Sequence, residues 1–406
     1  MKVLFIHQNF PGQFRHLAAH LARQQDVSVR AIGRDYAPGL QGIHLTRYRP
    51  HRGTGKETHP YARCFEEGVL HGQQVLRLLR DFKNQGWCPD LVMAHPGWGE
   101  SLYVKEAFPA TRLIHFCEYY YHTHGADAGF DPEFPLSAHN AAAILSRNAL
   151  HLLALEQCDL GIAPTHWQHS LYPAVYHDKI KVIHEGIDVR KLGPAHAAVL
   201  PLAHGRELRA GEPIVTFVAR NLEPYRGFHR FMRALPKLLD AHPTVQVVIV
   251  GGDEVSYGRR PSDAPDWRTK LVAENPIDPN RVHFLGKVPY DRYRQVLQVS
   301  SAHIYFTYPF VLSWSLLEAL ASACLVIASN TAPVREVIRH GENGWLVDFF
   351  DENALVEHIL KALAHPPETA AMRAAARKHA QAYSIEKGIE TYMNWIMRNP
   401  EAIGSG

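Results

Sequence analysis

The sequence predicts an α/β protein built as two doubly wound domains, and three observations carry that expectation. Apolar, β-rich runs of strand length alternate with segments of helical periodicity, at 2–7, 27–32, 43–47, 90–94, 113–117, 160–163 and 180–184. A weakly patterned stretch rich in Gly, Pro and His follows, and a second series of strand and helix signals begins at Ile214. A length of 406 residues suits two or three domains with large cores. The expected plan is a first domain over 1–190, a linker over 191–212, a second domain over 213–382 and a closing helix over 383–400.

Composition excludes several classes. The apolar fraction of 46% and charged fraction of 20% are those of a water-soluble globular protein. No run of about 18 apolar residues marks a membrane span, and the opening residues turn polar too quickly for a signal peptide. A cytoplasmic location, including the inner face of a membrane, is therefore expected. A net charge of +3 gives no reason to expect a nucleic-acid partner. Cys64, Cys88, Cys117, Cys158 and Cys324 are scattered, without a C-x-x-C pair, and read as buried free thiols. The 27 histidines show no metal-ligand spacing. No metal site is expected.

In chain order, the strand at 2–7 runs into the turn Asn9-Phe10-Pro11-Gly12-Gln13 and an amphipathic helix over 14–25. Gly12 would let the backbone approach a ligand, or simply close a tight turn. The absence of G-x-G-x-x-G argues against a nicotinamide dehydrogenase. A long helix within 59–84 carries Arg63, Arg77, Arg80 and Lys83, which suit a solvated face better than a membrane surface. His95 ends the strand at 90–94, where a parallel sheet would point it at a ligand. Glu118, Tyr119 and His122 follow the strand at 113–117, and the loop over 123–135 adds Asp127, Asp131 and Glu133. Rings that stack on sugars and carboxylates that accept hydroxyl hydrogen bonds suit carbohydrate recognition.

In the second series, the strand at 214–219 ends at Arg220, and Arg226 precedes a helix over 228–239. Two arginines flanking a strand-to-helix turn can clamp a diphosphate. The strand at 245–252 is followed by a loop over 257–265 that reads as mobile, and the strand at 282–285 by Val288. The stretch over 300–337 reads as strand, turn, helix and strand. The amides of Leu312, Ser313, Trp314 and Ser315 would open its helix unpaired and could face an anion. Glu318 would either serve that site or fold back in a capping box with Ser315. Helices over 353–364, 367–381 and 383–397 complete the chain.

Tyr308-Pro309, Leu317-Glu318-Ala319-Leu320-Ala321, Pro333-Val334-Arg335-Glu336-Val337 and Gly341-Glu342-Asn343-Gly344 resemble the donor-binding half of the retaining glycosyltransferases of family four. Residues 180–188 resemble the segment that leads this family out of its first domain. The resemblance implies a GT-B fold, two Rossmann-like doubly wound domains facing a central cleft. It also implies that Arg220 and Arg226 balance charge on a leaving diphosphate, the latter standing where the family has Lys. Glu318 would hold the ribose, with Ser313, Trp314, Ser315, Gly12 and Gln13 near the phosphates or sugar and the Val288 backbone at the base. Glu118 falls where the family usually has a reaction-centre histidine, and His95, Tyr119 and His122 would touch the acceptor side. Phe310 replaces the first of two family glutamates, and Val311 and Ser313 replace turn glycines.

The implied function is transfer of a hexose-type sugar from a nucleoside diphosphate sugar, UDP favoured over GDP, to a glycan or small-molecule acceptor. No cofactor or metal is implied, and surface-polysaccharide assembly is the implied setting. Three rivals stand beside it: a nucleotide-sugar epimerase, a phosphorylase, and a non-catalytic binding protein of the same fold, the last motivated by Phe310.

Overall fold

A computed structural model describes residues 1–364 and 369–396. The chain divides into two compact units, one of Met1–Gly186 with the segment from Ile385 onward, the other of Ile187–Ser384.

The first unit is a seven-stranded parallel sheet of β1 (Lys2–Ile6), β2 (Ser28–Arg34), β3 (His44–Tyr48), β4 (Leu91–Ala94), β5 (Arg112–Phe116), β6 (Leu160–Ala163) and β7 (Ile180–Val182). Its order is β3-β2-β1-β4-β5-β6-β7. The strands read as near-continuous apolar runs because both faces are covered. Val3 and Phe5 of β1 join one core with Phe14, Leu17 and Leu21, while Leu4 and Ile6 join another with Val75, Leu79 and Phe82. Each fully buried Phe or Leu there contributes about 1.5–3 kcal/mol.

The helix Ile385–Ile396 returns to this unit, placing Tyr392 and Ile396 in the Phe5 core. Arg112 donates to the carbonyls of Ile396 and Trp395 at 2.6 and 2.9 Å, satisfying acceptors at the helix end. The expected positions 397–400, and the start of the expected 367–381 helix, lie outside the described residues. That helix is described as Ala370–Ala380.

The second unit holds β8 (Val199–Pro201) and β9 (Glu207–Arg209), then β10 (Ile214–Asn221), β11 (Gln246–Gly252), β12 (Val282–Gly286), β13 (Ala302–Tyr305), β14 (Val326–Ser329) and β15 (Trp345–Val347). The last six form a parallel sheet in the order β12-β11-β10-β13-β14-β15. The segment 191–212, expected as a linker, instead folds into this unit. β8 and β9 pair antiparallel, and Leu200 and Leu208 pack with Ile214, Val248 and Val250. Leu200 and Leu208 anchor a hairpin whose other residues stay largely exposed.

Several helix bounds differ from the periodicity. The first helix is a 3-10 turn, Gly12–Phe14, continued by Arg15–Leu21, and the long one is Arg63–Asn84. Lys83 of the latter donates to the Ala107 carbonyl, whereas Arg63, Arg77 and Arg80 are exposed. The helix Ala138–Gln157 opens where it does because Ser137 caps it by accepting from the Asn140 amide. Cys117, Cys158 and Cys324 are buried free thiols, but Cys64 and Cys88 are exposed, Cys64 at the open first turn of the long helix. No described helix is long and apolar enough to cross a membrane.

Candidate functional site

Each sheet has a point where the strand order reverses, between β1 and β4 in the first unit and between β10 and β13 in the second. In open α/β sheets, the crevice beyond the carboxyl ends of the strands at such a point is where ligands bind. The chemistry-bearing residues gather at both.

In the first unit, His7 follows β1, His95 follows β4 and Glu118 lies two residues beyond β5. A hydrogen-bond chain joins them. The His7 Nδ1 accepts from the Asn9 amide at 3.0 Å, so its Nε2 carries the proton and donates to Gln13 Oε1 at 2.7 Å. Gln13 Nε2 donates to Glu118 Oε1 at 2.7 Å. His95 Nδ1 accepts from the Gly97 amide, leaving Nε2–H to donate to Glu118 Oε2 at 3.1 Å. The His95 ring is stacked on Trp98 at 4.2 Å. Gly12 is required by this arrangement. Its φ is +47°, and a Cβ there would lie 2.4 Å from the His7 ring.

The electrostatics follow from the geometry. Burial, reinforced by His95, lowers His7 to about 3 and keeps it neutral. Burial alone would raise the Glu118 carboxyl, but the hydrogen bond and charge of His95, with Gln13, outweigh it and hold the group below its ordinary value. A third of the Glu118 side chain is open. Glu118 is thus an ionised carboxylate fixed on two sides and open on another, a ready acceptor for a hydroxyl. Gln168, which the sequence reading missed, donates to the Glu118 carbonyl at 2.6 Å and fixes its backbone. The Thr165-x-x-Gln168 spacing was the available signal, and Thr165 does cap that helix.

Two expected substrate contacts serve the loop instead. Tyr119 is buried and its hydroxyl donates to Asp127 at 2.8 Å, and His122 Nε2 pairs with the Leu171 carbonyl at 2.7 Å. Tyr119 thereby anchors the 123–135 segment, while the half-buried His122 ties the start of that segment to the chain at Leu171.

In the second unit, Arg226 closes a 3-10 turn after β10 and is 9% exposed. Its Nη1 donates to Thr307 Oγ1 at 2.9 Å and to the Val311 carbonyl at 3.2 Å, both just beyond β13. Gly227 follows at φ +68°, with no room for a Cβ against Phe306. Arg220, expected as the equal partner in a clamp, stands exposed near the end of β10. The two arginines therefore differ in setting, one fixed and one open to solvent.

The helix expected to open at 313 spans Trp314–Ala321, with Ser313 as its N-cap. Two of its supposedly unpaired amides are engaged: Ser313 N–H donates to the Tyr305 hydroxyl at 2.9 Å and Ser315 N–H to Ser313 Oγ at 3.3 Å. Trp314 is exposed at the first helical position. The capping box with Ser315 does not form, because the cap is two residues earlier. Glu318 instead accepts the hydroxyls of Tyr290 at 3.1 Å and Tyr293 at 2.8 Å. Burial raises its carboxyl, against the opposing effect of the two tyrosines. Val288, half-buried, packs on both cores of this unit. Phe310 packs against Tyr225 and Tyr257.

The start of the 257–265 loop is held by a buried side chain. Glu223, fully buried, accepts the amides of Ser256, Tyr257 and Gly258 at 3.0, 3.2 and 2.8 Å. No local pattern announces this, since the partners lie more than thirty residues away.

Comparison with known proteins agrees with this architecture. Residues 25–192 match the glycosyl transferase family 4 group and residues 203–379 match the glycosyl transferases group 1. The D-inositol 3-phosphate glycosyltransferase of Rhodococcus jostii is 29% identical over 211 residues, 52% of this chain and 45% of that protein. The phosphatidyl-myo-inositol mannosyltransferase of Mycolicibacterium smegmatis is 29% identical over 210 residues, 50% of this chain and 48% of its own. The chain thus spans about half the length of the curated relatives it matches. Among solved structures, sucrose-phosphate synthase from Thermosynechococcus elongatus superposes with a TM-score of 0.71 at 18% identity, covering 98% of both chains. HepE of Anabaena in complex with UDP-glucose gives 0.67 at 16% identity, covering 98% of this chain and 99% of its own. Each of the two parallel doubly wound sheets thus lies largely in a stretch that matches a glycosyl transferase family, the family 4 group in the first unit and group 1 in the second.

Proposed function

We propose that the protein moves a hexose-type sugar from a nucleoside diphosphate sugar to a hydroxyl of a glycan or small-molecule acceptor, with retention at the anomeric carbon. The observation that carries this reading is Arg226, a guanidinium held at the reversal point of the second sheet by Thr307 and Val311. A fixed cation at a strand-to-helix turn stabilises a departing diphosphate without reorganising, the largest single contribution in many enzymes.

In this reading Arg226, with Arg220, takes the diphosphate, beside the helix start at Trp314. Glu318 takes the ribose in competition with its tyrosines, and the Val288 backbone meets the base. The UDP-glucose complex of HepE favours uridine over guanosine. In the first unit, His95 and Glu118 take the acceptor hydroxyl, with Gly12 and Gln13 holding that end of the site in shape. The bond from the anomeric carbon to the diphosphate oxygen breaks, the bond to the acceptor oxygen forms on the same face, and the acceptor hydroxyl gives its proton to the Glu118 carboxylate, which then releases it to water. Arginines supply the positive charge that a metal otherwise brings, so turnover is expected with EDTA present.

The test is release of nucleoside diphosphate from a panel of UDP- and GDP-sugars, with and without candidate acceptors. Release of one diphosphate, lost on Arg226→Ala in a protein that still melts cooperatively, supports the reading. Tight diphosphate binding with no release under any acceptor favours the binding-only alternative, whose basis is Phe310 in place of the family's first glutamate.

A further inference from the structure

Three loops meet at the reversal point of the second sheet: those after β10, β11 and β13. Each contributes an aromatic ring. Tyr257 lies 4.9 Å from Phe310, and Tyr225 lies 5.6 Å from Phe310 and 4.7 Å from Tyr308, centroid to centroid. The Arg226 guanidinium carbon sits 5.2 Å from the centre of the Tyr257 ring. Phe310 is nearly buried, but Tyr257 is 38% exposed. It presents one ring to solvent beside the fixed cation.

Tyr257 is held there by an unusual device. A fully buried carboxylate is costly unless hydrogen bonds replace its water. Glu223 obtains three such bonds, all from the consecutive amides of 256–258, and Asn221 Nδ2 adds a bond to Ser256 Oγ at 2.8 Å. Loop closure alone needs no buried charge. Three amides on one carboxylate fix the backbone on both sides of Tyr257, and hence the direction its side chain takes.

We propose that Tyr257, backed by Phe310, is the surface on which the donor's sugar ring lies, and that Glu223 is the residue that positions it. The inference rests on the donor reading above and adds the mode of sugar recognition. The donor is a nucleotide hexopyranose taken by its apolar C–H face against an aromatic wall beside the diphosphate site, which an exposed ring next to a cation provides. Glu223 touches no substrate; it acts through the loop.

The test is calorimetric titration with UDP and UDP-glucose, and with GDP and GDP-mannose, reading the ratio of each sugar nucleotide's Kd to that of its free diphosphate. Tyr257→Ala is expected to worsen that ratio about five- to tenfold for the accepted donor. Tyr257→Phe, which keeps the ring, restores it, and Glu223→Gln reproduces Tyr257→Ala in protein whose melting shows it folded. Tyr257 is a partly exposed loop residue, so its variants test the wall even where Glu223→Gln does not fold. A ratio unchanged by Tyr257→Ala, with diphosphate still bound, overturns the inference and leaves the donor reading standing. Wild-type protein that binds none of the four ligands overturns both.

Discussion

The two sheets reverse direction in the same way and arm the reversal point with opposite chemistry. The first unit places there a chain of hydrogen-bond donors ending on one ionised carboxylate, His7 to Gln13 to Glu118 from one side and His95 from the other. The second places there a guanidinium among tyrosine and phenylalanine rings. A carboxylate that has used part of its hydrogen-bonding capacity on fixed donors can still accept a hydroxyl. A guanidinium beside rings suits an anion attached to a sugar. The comparison teaches that the topology supplies only a place, and that the residues ending each strand decide which ligand chemistry each place can hold.

The comparison breaks most sharply at Glu118. Glu118→Gln is expected to lower kcat/KM about 10²–10³-fold while leaving diphosphate affinity unchanged, so steady-state kinetics and calorimetry on one preparation separate the two crevices. Equal losses in both measurements would show that the division of labour is wrong.

Acid sensitivity is the next contrast. Burial lowers His7, His115 and His151 of the first unit to about 3 and His71 to about 4, while His303 of the second is lowered to about 4. Below 6.5 the unfolded chain binds protons that these native groups refuse. Their stabilisation is therefore complete above about pH 6.5 and is lost progressively as pH falls toward their native values. At pH 5.5 each contributes up to about 1.4 kcal/mol of destabilisation. Hydrogen exchange followed from pH 7 to 5 is expected to show protection failing first in the first unit. His115→Gln, which removes a group bonded to the Ala154 carbonyl, is expected to flatten that pH dependence.

Smaller effects refine the second crevice. Thr307→Val keeps the shape but removes an acceptor from Arg226, and UDP affinity is expected to fall about fivefold. Glu318→Gln is expected to cost about threefold in UDP affinity and nothing for inorganic diphosphate, because its loss is felt only through the ribose.

The alternation of strand and helix signals made both sheets legible, since parallel strands buried on two faces leave continuous apolar runs. His95, Gln13, Glu118 and Arg226 were legible because each sits at or just beyond a strand's carboxyl end, where direction is set by topology. His7 obeys the same logic and could have been found with it. The misreadings came from pairings that sequence spacing does not encode. Tyr119 and His122 pair with Asp127 and Leu171. The amides of 313 and 315 are taken by Tyr305 and Ser313. Glu223 finds its partners across a helix and a strand, so the hold on the start of the segment after β11 left no local mark. Leu200 and Leu208 show the same limit for the supposed linker, whose anchoring depends on where Ile214 and Val248 lie.

The most direct test of the central claim is a calorimetric titration of UDP into wild-type protein and Arg226→Ala, with EDTA present throughout. The account predicts saturable binding to wild type and a loss of about 10- to 100-fold in the variant, the worth of charge-assisted hydrogen bonds to a diphosphate. Equal affinity in the two proteins, or no binding of UDP or GDP to wild type, would contradict it.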